Sequence, residues 1–533
     1  MVKLPIGATL PVRILITASG IQQYIFGISH RAASARLRGR SARLGLILDR
    51  CLQRFQETFE NVFDVNRNVR RNAGSRLELE FPHALAGMES FLAELQHDLD
   101  NHSRKDLDGQ VWFAVAAAER KQEAHSRLTE AKLRMGKAAL QYKVGAEKAR
   151  WNEENFFFQR QVNERGIGKD EASRLPEAEL GRDLAHLKNK YIRFAGRGDS
   201  SGILVLDAPA KTVPEDPGEG FRLALGNVTR IADPKLIRKR LARHAPLRND
   251  GQLLDFDEIA GRATGAKFLG VLKADLDNLG STFSKFPPDE EGEKHAKELS
   301  DKLERLFTEE LEGLIHRNFQ ECYIVYSGGD DLFMLGPWDQ LIRFIEGLHA
   351  LLKQSVEAWN YPQLTLSAGF RLAHPKSPVR SLAEDAEEAL DQAKGKRPTP
   401  GSLPAKNRVS VFERVVTWNE LSKGLKWADD FIPALGNHSL SAGFLQRFQY
   451  YGSQFRRYEA GHIDGLQMVP LLQDDWRRNR ETLGQPLRQD LEKLIKQLVT
   501  PMAEDTQSTW RTVDFASRFA LYAARSKEET DED

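Results

Sequence analysis

The sequence predicts an α/β chain of the α+β type. Two copies of a ferredoxin-like βαββαβ unit are separated by a mostly helical segment and followed by an all-α end. Three observations carry this. The order strand, helix, hairpin, helix, strand occurs over residues 1–120 and again over 266–414. Residues 119–195, rich in Ala, Glu, Lys, Arg and Gln, have a helical pattern. Residues 415–533 keep helical periodicity up to the acidic tail KEETDED. The 533 residues suit three or four domains at roughly 150 residues each.

In the first unit, VRILITA (12–18) is a buried strand, followed by SGIQQYIF and an Arg-rich helix over about 30–60. NVRRN, a turn near Gly74 and the β-prone LELEF (77–81) read as a hairpin. A helix at 83–99 and the apolar run VWFAVAA (111–117) complete the unit. The segment 121–265 is expected to be helical with a small β element. ILVLD (203–207) is a lone strand candidate, RLALG (222–226) a possible partner, and 208–220, with three Pro and two Gly, a loop. Residues 234–265, polar and basic, read as a bridge. The pattern then repeats: strand KFLGVLKAD (267–275), helix 292–316, hairpin CYIVY–SGGD–DLFMLG (322–336), helix 338–357 and strand LTLSAGFRLA (364–373). A helix at 378–394 and the strand RVSVFE (408–413) are added.

Composition excludes several classes. Apolar residues are 41% and charged residues 29%, which is a globular and not a disordered balance. Lys and Arg total 77 against 76 Asp and Glu, so the chain as a whole is no basic coat for nucleic acid. Two cysteines, Cys51 and Cys322, build neither a disulfide framework nor a Cys-x-x-Cys zinc ribbon. No apolar run approaches the roughly 18 residues of a membrane helix, and Pro5, Pro11 and Arg13 interrupt any signal-peptide core. These features predict a cytoplasmic protein with no membrane partner and no structural zinc.

The chemistry concentrates at Ser327-Gly328-Gly329-Asp330-Asp331. Taken alone, Gly-Gly supplies the positive φ of a tight hairpin beside two solvated aspartates. Asp275-Leu276-Asp277-Asn278-Leu279-Gly280 changes that reading, because it ends the first strand of the same unit, which lies beside the central hairpin. Asp275 is then expected to face Asp330 and Asp331. Three carboxylates at one spot require a cation, and all-oxygen donors select Mg²⁺ or Mn²⁺. Such ions act on phosphates. The backbone after Asp277, through Asn278, Leu279, Gly280 and Ser281, is suited to cradle a triphosphate at a helix entrance. Lys394 and Lys406 flank the last strand; either is a phosphate contact or a solvated surface residue.

The sheet and carboxylates resemble palm-type polymerases and GGDEF nucleotide cyclases. SGIQQYIF with LRGRS (37–41), LGVLKADLDNLG, YSGGDDLF, LSAGFRLAHPKSPV and KNRVSVF more specifically resemble the large subunit of type III CRISPR effector complexes. WRRNR (476–480) and FALYAAR (519–525) look like that family's helical end. The resemblance implies a degenerate first palm (1–120), a linker domain (121–265), a catalytic second palm (266–414) and a helical domain (415–533). It implies partners: other effector subunits, guide RNA and target RNA. It implies an RNA-activated enzyme that makes cyclic oligoadenylates from ATP with release of pyrophosphate. Asp275, Asp330 and Asp331 become the catalytic set. Asp275, Leu276, Asp330 and Asp331 become the site of two metal ions. Asp277 to Ser281, Ser327, Gly328, Gly329, Lys394 and Lys406 become the nucleotide contacts.

The first palm has Gly74-Ser75-Arg76 in place of the acidic turn, so it is expected to be silent. Ser19, Gly20, Arg38, Arg40, Gly74 and Ser75 are its candidate contacts to a second nucleotide or to RNA. Many relatives start with an HD nuclease domain; with the first palm read as beginning within the first twenty residues, no such domain and no HD nuclease activity are expected. His97-Asp98 reads as a helix face. Residues 1–76 hold 13 basic and 4 acidic residues, a density that suits phosphate contacts or a solvated helix. Phe448, Tyr451 and Phe455 fall on one helical stripe, read as core in preference to a base-stacking platform. Two other outcomes stay open: a palm cyclase that joins AMP to another acceptor or makes a cyclic dinucleotide, and a catalytically silent RNA-binding scaffold.

Overall fold

The computed structural model describes residues 11–26, 37, 44, 47, 48, 51, 52, 54–60, 62–73, 76–105, 107, 110–119, 123–136, 191–194, 202–206, 221–225, 236–239, 244–246, 248, 254–287, 289–328, 331–396, 405–501 and 505–525. The chain divides into two compact units, Met1–Arg240 and Leu241–Asp533.

In the first unit, β1 (Val12–Ser19) lies between β3 (Arg76–Phe81) and β4 (Trp112–Ala118), antiparallel to both, with β2 (Val69–Ala73) outside β3. The order β2-β3-β1-β4 is that of a βαββαβ sheet. Strand β1 is an unbroken apolar run because both its faces are covered: Ile14, Leu15 and Ile16 are fully buried. The helix Met88–Lys105 contributes Phe91, Leu92, Leu95 and Leu99 to the core, and Phe91 meets Phe55 edge-on at 4.8 Å. This helix starts and ends later than expected. Its His97 and Asp98 are exposed; Asp98 pairs with Arg54 and His97 meets Asn101 at 3.0 Å.

A second sheet of this unit has the order β5-β6-β7-β8 (Tyr191–Phe194, Gly202–Leu206, Phe221–Leu225, Leu236–Lys239). Strands β6, β7 and β8 run parallel. The strand read as a lone candidate is therefore one of four, and the bridge at 234–265 contains β8. YIRF and LIRK were missed because four-residue strands carrying a cation are too short for a period-2 signal.

In the second unit the sheet order is β10-β11-β9-β12-β13-β14. The strands are β9 (Leu269–Asp277), β10 (Tyr323–Gly328), β11 (Asp331–Pro337), β12 (Thr365–Ala373), β13 (Arg408–Val411) and β14 (Arg414–Thr417). The first four repeat the order of the first sheet. One face, with Leu272, Ala274 and Leu276 of β9, packs on the helices Glu290–Arg305, Leu311–Asn318 and Trp338–Ala358. The opposite face, with Lys273 and Asp275, receives the helix Val379–Ala393. That helix comes so close that a Cβ on Gly369 would stand 2.1 Å from the Leu390 backbone nitrogen, so only glycine fits. The helix expected over 292–316 is interrupted by a π turn at Leu306–Glu310.

The helical end comprises Trp418–Gly436, Ala442–Glu459, Met468–Asn479, Gln485–Leu498 and Thr506–Ala524. Phe515, Phe519 and Ala523 of the last helix enter the core under the β9–β14 sheet. Trp338 lies 4.9 Å from Phe519 and donates through Nε1 to the Ala266 carbonyl at 2.9 Å. Palm and helical end thus share one core, with no break at 414. Phe448, Tyr451 and Phe455 are buried in the helical core. Among the described residues, no helix is long and apolar enough to cross a membrane.

Candidate active site

The register of the sheet brings the acidic residues together. Asp331 at the start of β11 pairs directly with Asp275 of β9, and Asp275 pairs on its other side with Ser367 of β12. Gly328 of β10 pairs with Asp331. One transverse row therefore reads Gly328, Asp331, Asp275, Ser367. Side chains directly opposite share a face and lie about 5 Å apart, so two carboxylates there repel. The protein supplies a counter-charge: the Lys394 ammonium, from the residue ending the Val379–Ala393 helix, donates to Asp275 Oδ2. On the Asp331 side, the Tyr326 hydroxyl donates to Oδ2 at 2.9 Å. Tyr326 stacks on Phe333 with ring centroids 5.8 Å apart. Burial, then the negative charge of Asp331, pushes the Tyr326 pKa up, so it remains a donor. Lys273, on the same face two residues before Asp275, is buried and paired with Glu387.

Beyond the row, β9 ends at Asp277, which is 2% exposed. Its Oδ2 accepts from Ser367 Oγ at 2.7 Å, Thr365 Oγ1 at 3.1 Å and the Asn407 backbone N–H at 3.0 Å. Asn278 takes a left-handed conformation (φ 66°) and caps the short helix Leu279–Phe283. Its Nδ2 donates to the Gln363 carbonyl at 3.0 Å, and its Oδ1 accepts from Lys406 Nζ at 3.0 Å. Ser281 Oγ donates to the Asn278 carbonyl at 2.9 Å. Gly280 is exposed, and a Cβ there would meet nothing within 4 Å, so the fold itself does not demand glycine. Ser327 Oγ donates at 3.0 Å to the Phe307 carbonyl inside the π turn, a distortion common beside functional sites.

Asp275, Asp331, Lys394, Ser327 and Gly328 thus lie at one end of the sheet, with Asp277 to Ser281 and Lys406 beside them. Gly329, Asp330, Arg38, Arg40, Gly74 and Ser75 are outside the described residues. In the first unit, Ser19 pairs with Trp112 at the end of β1. Gly20 is glycine for a local reason: at φ 83°, a Cβ would stand 2.1 Å from the Gln110 carbonyl oxygen. Sequence reasoning missed Tyr326, Lys273, Thr365 and Ser367. Tyr326 had a signal, being five residues from Asp331 across a tight hairpin. Thr365 and Ser367 had none, because only the β9–β12 register brings them to Asp277.

The donor chemistry suits a divalent ion. Asp275 and Asp331 offer oxygen only, and Leu276, whose side chain is buried on the other face, can contribute only its backbone carbonyl. Among the described residues, which exclude Asp330, no cluster of three His, Cys, Asp or Glu residues is poised to hold a metal.

Two family models match the chain: Cas10/Cmr2, second palm domain, at residues 268–400, and Csm1 subunit domain B at 14–159. The CRISPR system single-strand-specific deoxyribonuclease Cas10/Csm1 (subtype III-A) of Thermococcus onnurineus is 26% identical over 445 residues, covering 74% of this chain and 54% of that protein. The protein of the same name from Mycobacterium tuberculosis is 32% identical over 187 residues, 32% of this chain and 22% of that one. The chain spans about half the length of the first and less of the second. The Csm1–Csm4 cassette in complex with cA3 superposes with a TM-score of 0.65 at 19% identity, over 97% of this chain and 70% of that one. The cassette in complex with one ATP gives 0.66 at 18%, with the same coverage. At these identities the structures speak for the fold, and the family models and curated relatives speak for descent: the chain belongs to the Cas10 family, in which its matched curated relatives are the Cas10/Csm1 proteins of subtype III-A CRISPR systems.

Proposed function

We propose that the chain is the large subunit of a type III CRISPR interference complex. In this reading, target RNA paired with guide RNA activates it to join ATP into cyclic oligoadenylates. The 3′-oxygen of one nucleotide attacks the α-phosphorus of the next; a 3′–5′ phosphodiester forms, the bond to the β-phosphate breaks and pyrophosphate leaves. The observation that carries this is the direct pairing of Asp275 with Asp331 on one sheet row, with Lys394 on Asp275. The cA3 and ATP complexes of the Csm1–Csm4 cassette support the choice of substrate and product, and the cassette supports a partner subunit.

Asp275, Asp330 and Asp331, with the Leu276 carbonyl, would hold two Mg²⁺ or Mn²⁺ ions. Such ions lower the pKa of an attacking hydroxyl and stabilise a leaving oxygen. The protein's own groups bind and orient. Lys394 and Lys406 take phosphate oxygens as point charges, and the backbone of Asn278, Leu279, Gly280 and Ser281 lines the approach. Tyr326 fixes the Asp331 carboxylate, and Ser327 fixes the hairpin so that Gly328 and Gly329 admit ribose against the backbone. Ser19, Gly20, Arg38, Arg40, Gly74 and Ser75 are the first unit's proposed contacts to a second nucleotide or to RNA. DNA cleavage is not assigned to His97-Asp98, whose side chains meet Asn101 and Arg54 on an exposed helix face.

The test is incubation of the assembled complex with target RNA, Mg²⁺ and labelled ATP, and product analysis by mass spectrometry. Asp275→Ala and Asp331→Ala are each expected to lower the rate by about 100-fold or more, the scale of lost metal-ion stabilisation. Wild-type products from either variant would overturn the assignment. Adding other nucleotides and small-molecule acceptors shows whether AMP is joined to anything but itself.

A further inference from the structure

Asp277 shares a strand face with Asp275, two residues away, and by spacing alone would pass for a further ligand. Its surroundings differ. Three donors converge on one of its oxygens: Ser367 Oγ, Thr365 Oγ1 and the Asn407 N–H. The first two come from the neighbouring strand, the third from the approach to β13. The other oxygen is buried and has no hydrogen-bond partner among the described residues. The segment held by Asn407 is unusual, because Lys406 and Asn407 are consecutive non-glycine residues in the left-handed region, at φ 69° and 52°. That backbone is disfavoured for residues with a Cβ and persists where neighbours over-determine it. Two neighbours do so: Asp277 takes the N–H of Asn407, and Asn278 takes the ammonium of Lys406. The next residue, Arg408, ties the same segment to the end of the Val379–Ala393 helix. Its Nε donates to the Ala393 carbonyl at 2.9 Å and a terminal nitrogen to the Gln392 carbonyl at 3.3 Å. Lys394 follows directly.

We propose that Asp277 is a positioning residue, the clasp that locks the Lys406–Asn407 segment against the ends of β9 and β12 and so aims Lys406 at the nucleotide phosphates. This rests on the reading of Lys406 as a phosphate contact. The clasp needs an acceptor where the three donors meet, and it makes no use of the second oxygen. An asparagine can present its carbonyl oxygen to the three donors and turn its amide nitrogen to the vacant side. Alanine cannot. A metal ligand behaves differently, since a carboxamide in place of a carboxylate loses the charge that holds the ion.

The experiment compares Asp277→Ala and Asp277→Asn with wild type in the assembled complex. The readouts are hydrogen exchange of the peptide containing Asn407, affinity for a non-hydrolysable ATP analogue, and turnover. In Asp277→Ala, exchange is expected to accelerate about tenfold or more and affinity to weaken about tenfold, the scale of a lost hydrogen bond to a charged group. Its turnover at saturating ATP is expected to stay within about threefold of wild type, and Asp277→Asn is expected to match wild type in all three readouts. Lys406→Ala should weaken the analogue to a similar degree, and adding Asp277→Ala to it should cost nothing further. Unchanged exchange in Asp277→Ala overturns the clasp. Turnover of Asp277→Asn as low as that of Asp275→Ala overturns it in favour of a ligand. An opened segment with unchanged affinity overturns the aiming of Lys406. A wild-type complex that binds no ATP while the exchange difference persists defeats the proposed function and leaves the clasp standing. If Asp277→Ala does not fold, Ser367→Ala and Thr365→Val each remove one donor. Both must then shift exchange and affinity in the same direction, and no shift overturns the proposal.

Discussion

Removing Lys394 tests the electrostatics of the site most directly. Asp275 and Asp331 are register partners, and Lys394 is bonded to Asp275 with 17% of its own side chain exposed and 24% of the aspartate's. Two carboxylates about 5 Å apart, at an effective dielectric of about 20, repel by about 3 kcal/mol. Partial exposure screens both this repulsion and the ion pair that offsets it, which leaves about 1–2 kcal/mol of net stabilisation from the lysine. Lys394→Ala is therefore expected to lower the melting temperature in EDTA by about 2–6 °C. Mg²⁺ or Mn²⁺ should restore most of that loss, because the ion takes over the counter-charge. The same variant should bind Mn²⁺ about 5–30-fold more tightly, since the ion no longer displaces an ammonium; 1.4 kcal/mol is one factor of ten. ATP affinity should fall, because the displaced ammonium is then missing as a phosphate contact. Calorimetric melting with and without EDTA, Mn²⁺ titration by electron paramagnetic resonance, and ATP binding read these effects separately. An unchanged melt in EDTA together with unchanged Mn²⁺ affinity would refute the reasoning.

Three further predictions concern groups of the second unit. His349 stacks on Trp418 with centroids 4.3 Å apart; burial, helped by the charge of Lys353, lowers its pKa from 6.5 to about 4. Between pH 6.5 and 4 the unfolded chain binds a proton that the folded chain refuses, so stability falls as pH falls. The loss is at most about 3 kcal/mol by linkage. Urea unfolding should show this extra loss in wild type relative to His349→Gln, and parallel pH profiles would contradict it. Gly369→Ala drives a Cβ into the Leu390 backbone and should cost about 3 kcal/mol or more, seen as a lower urea midpoint at unchanged slope. Tyr326→Phe deletes the hydroxyl that holds Asp331 and should lower turnover about tenfold while the melting temperature moves by less than about 3 °C. Product formation and melting are measured side by side.

The acidic pair was legible because strand order was legible. Once LGVLKADLD and YIVY–SGGD–DLFML are the first strand and central hairpin of a βαββαβ unit, Asp275 and Asp331 must be neighbours, and the register makes them direct partners. The π turn under Ser327 was not legible: LFTEE has no feature that distinguishes it from ordinary helix, and the turn shows itself only through the Ser327 hydroxyl on the Phe307 carbonyl. Strands β5 and β8 escaped for want of length. The end of the second palm escaped because Phe515 and Phe519, though plainly apolar, do not announce which core they enter. Asp277 was grouped with the Asn278–Ser281 turn as a nucleotide contact, and its hydrogen-bond partners at positions 365, 367 and 407 could not be read there, because only the folded sheet brings them to one oxygen.

These cases share a physical cause. At this site most charged side chains already have a partner within the protein: Lys394 with Asp275, Lys273 with Glu387, Lys396 with Asp391, Lys406 with Asn278. Binding a metal or a triphosphate here is then an exchange of partners, and its free energy is the difference between the new contacts and those given up. On the proposed function Lys394 is the group to exchange: leaving Asp275, it would lose a carboxylate but gain a phosphate, while the aspartate would gain an ion. Asp277 cannot exchange without releasing three donors and two left-handed residues at once. The same face of β9 therefore carries two kinds of carboxylate, one built to change partners and one built to keep them. The contrast between Asp275→Asn, expected to fail, and Asp277→Asn, expected to work, is the measure of that division.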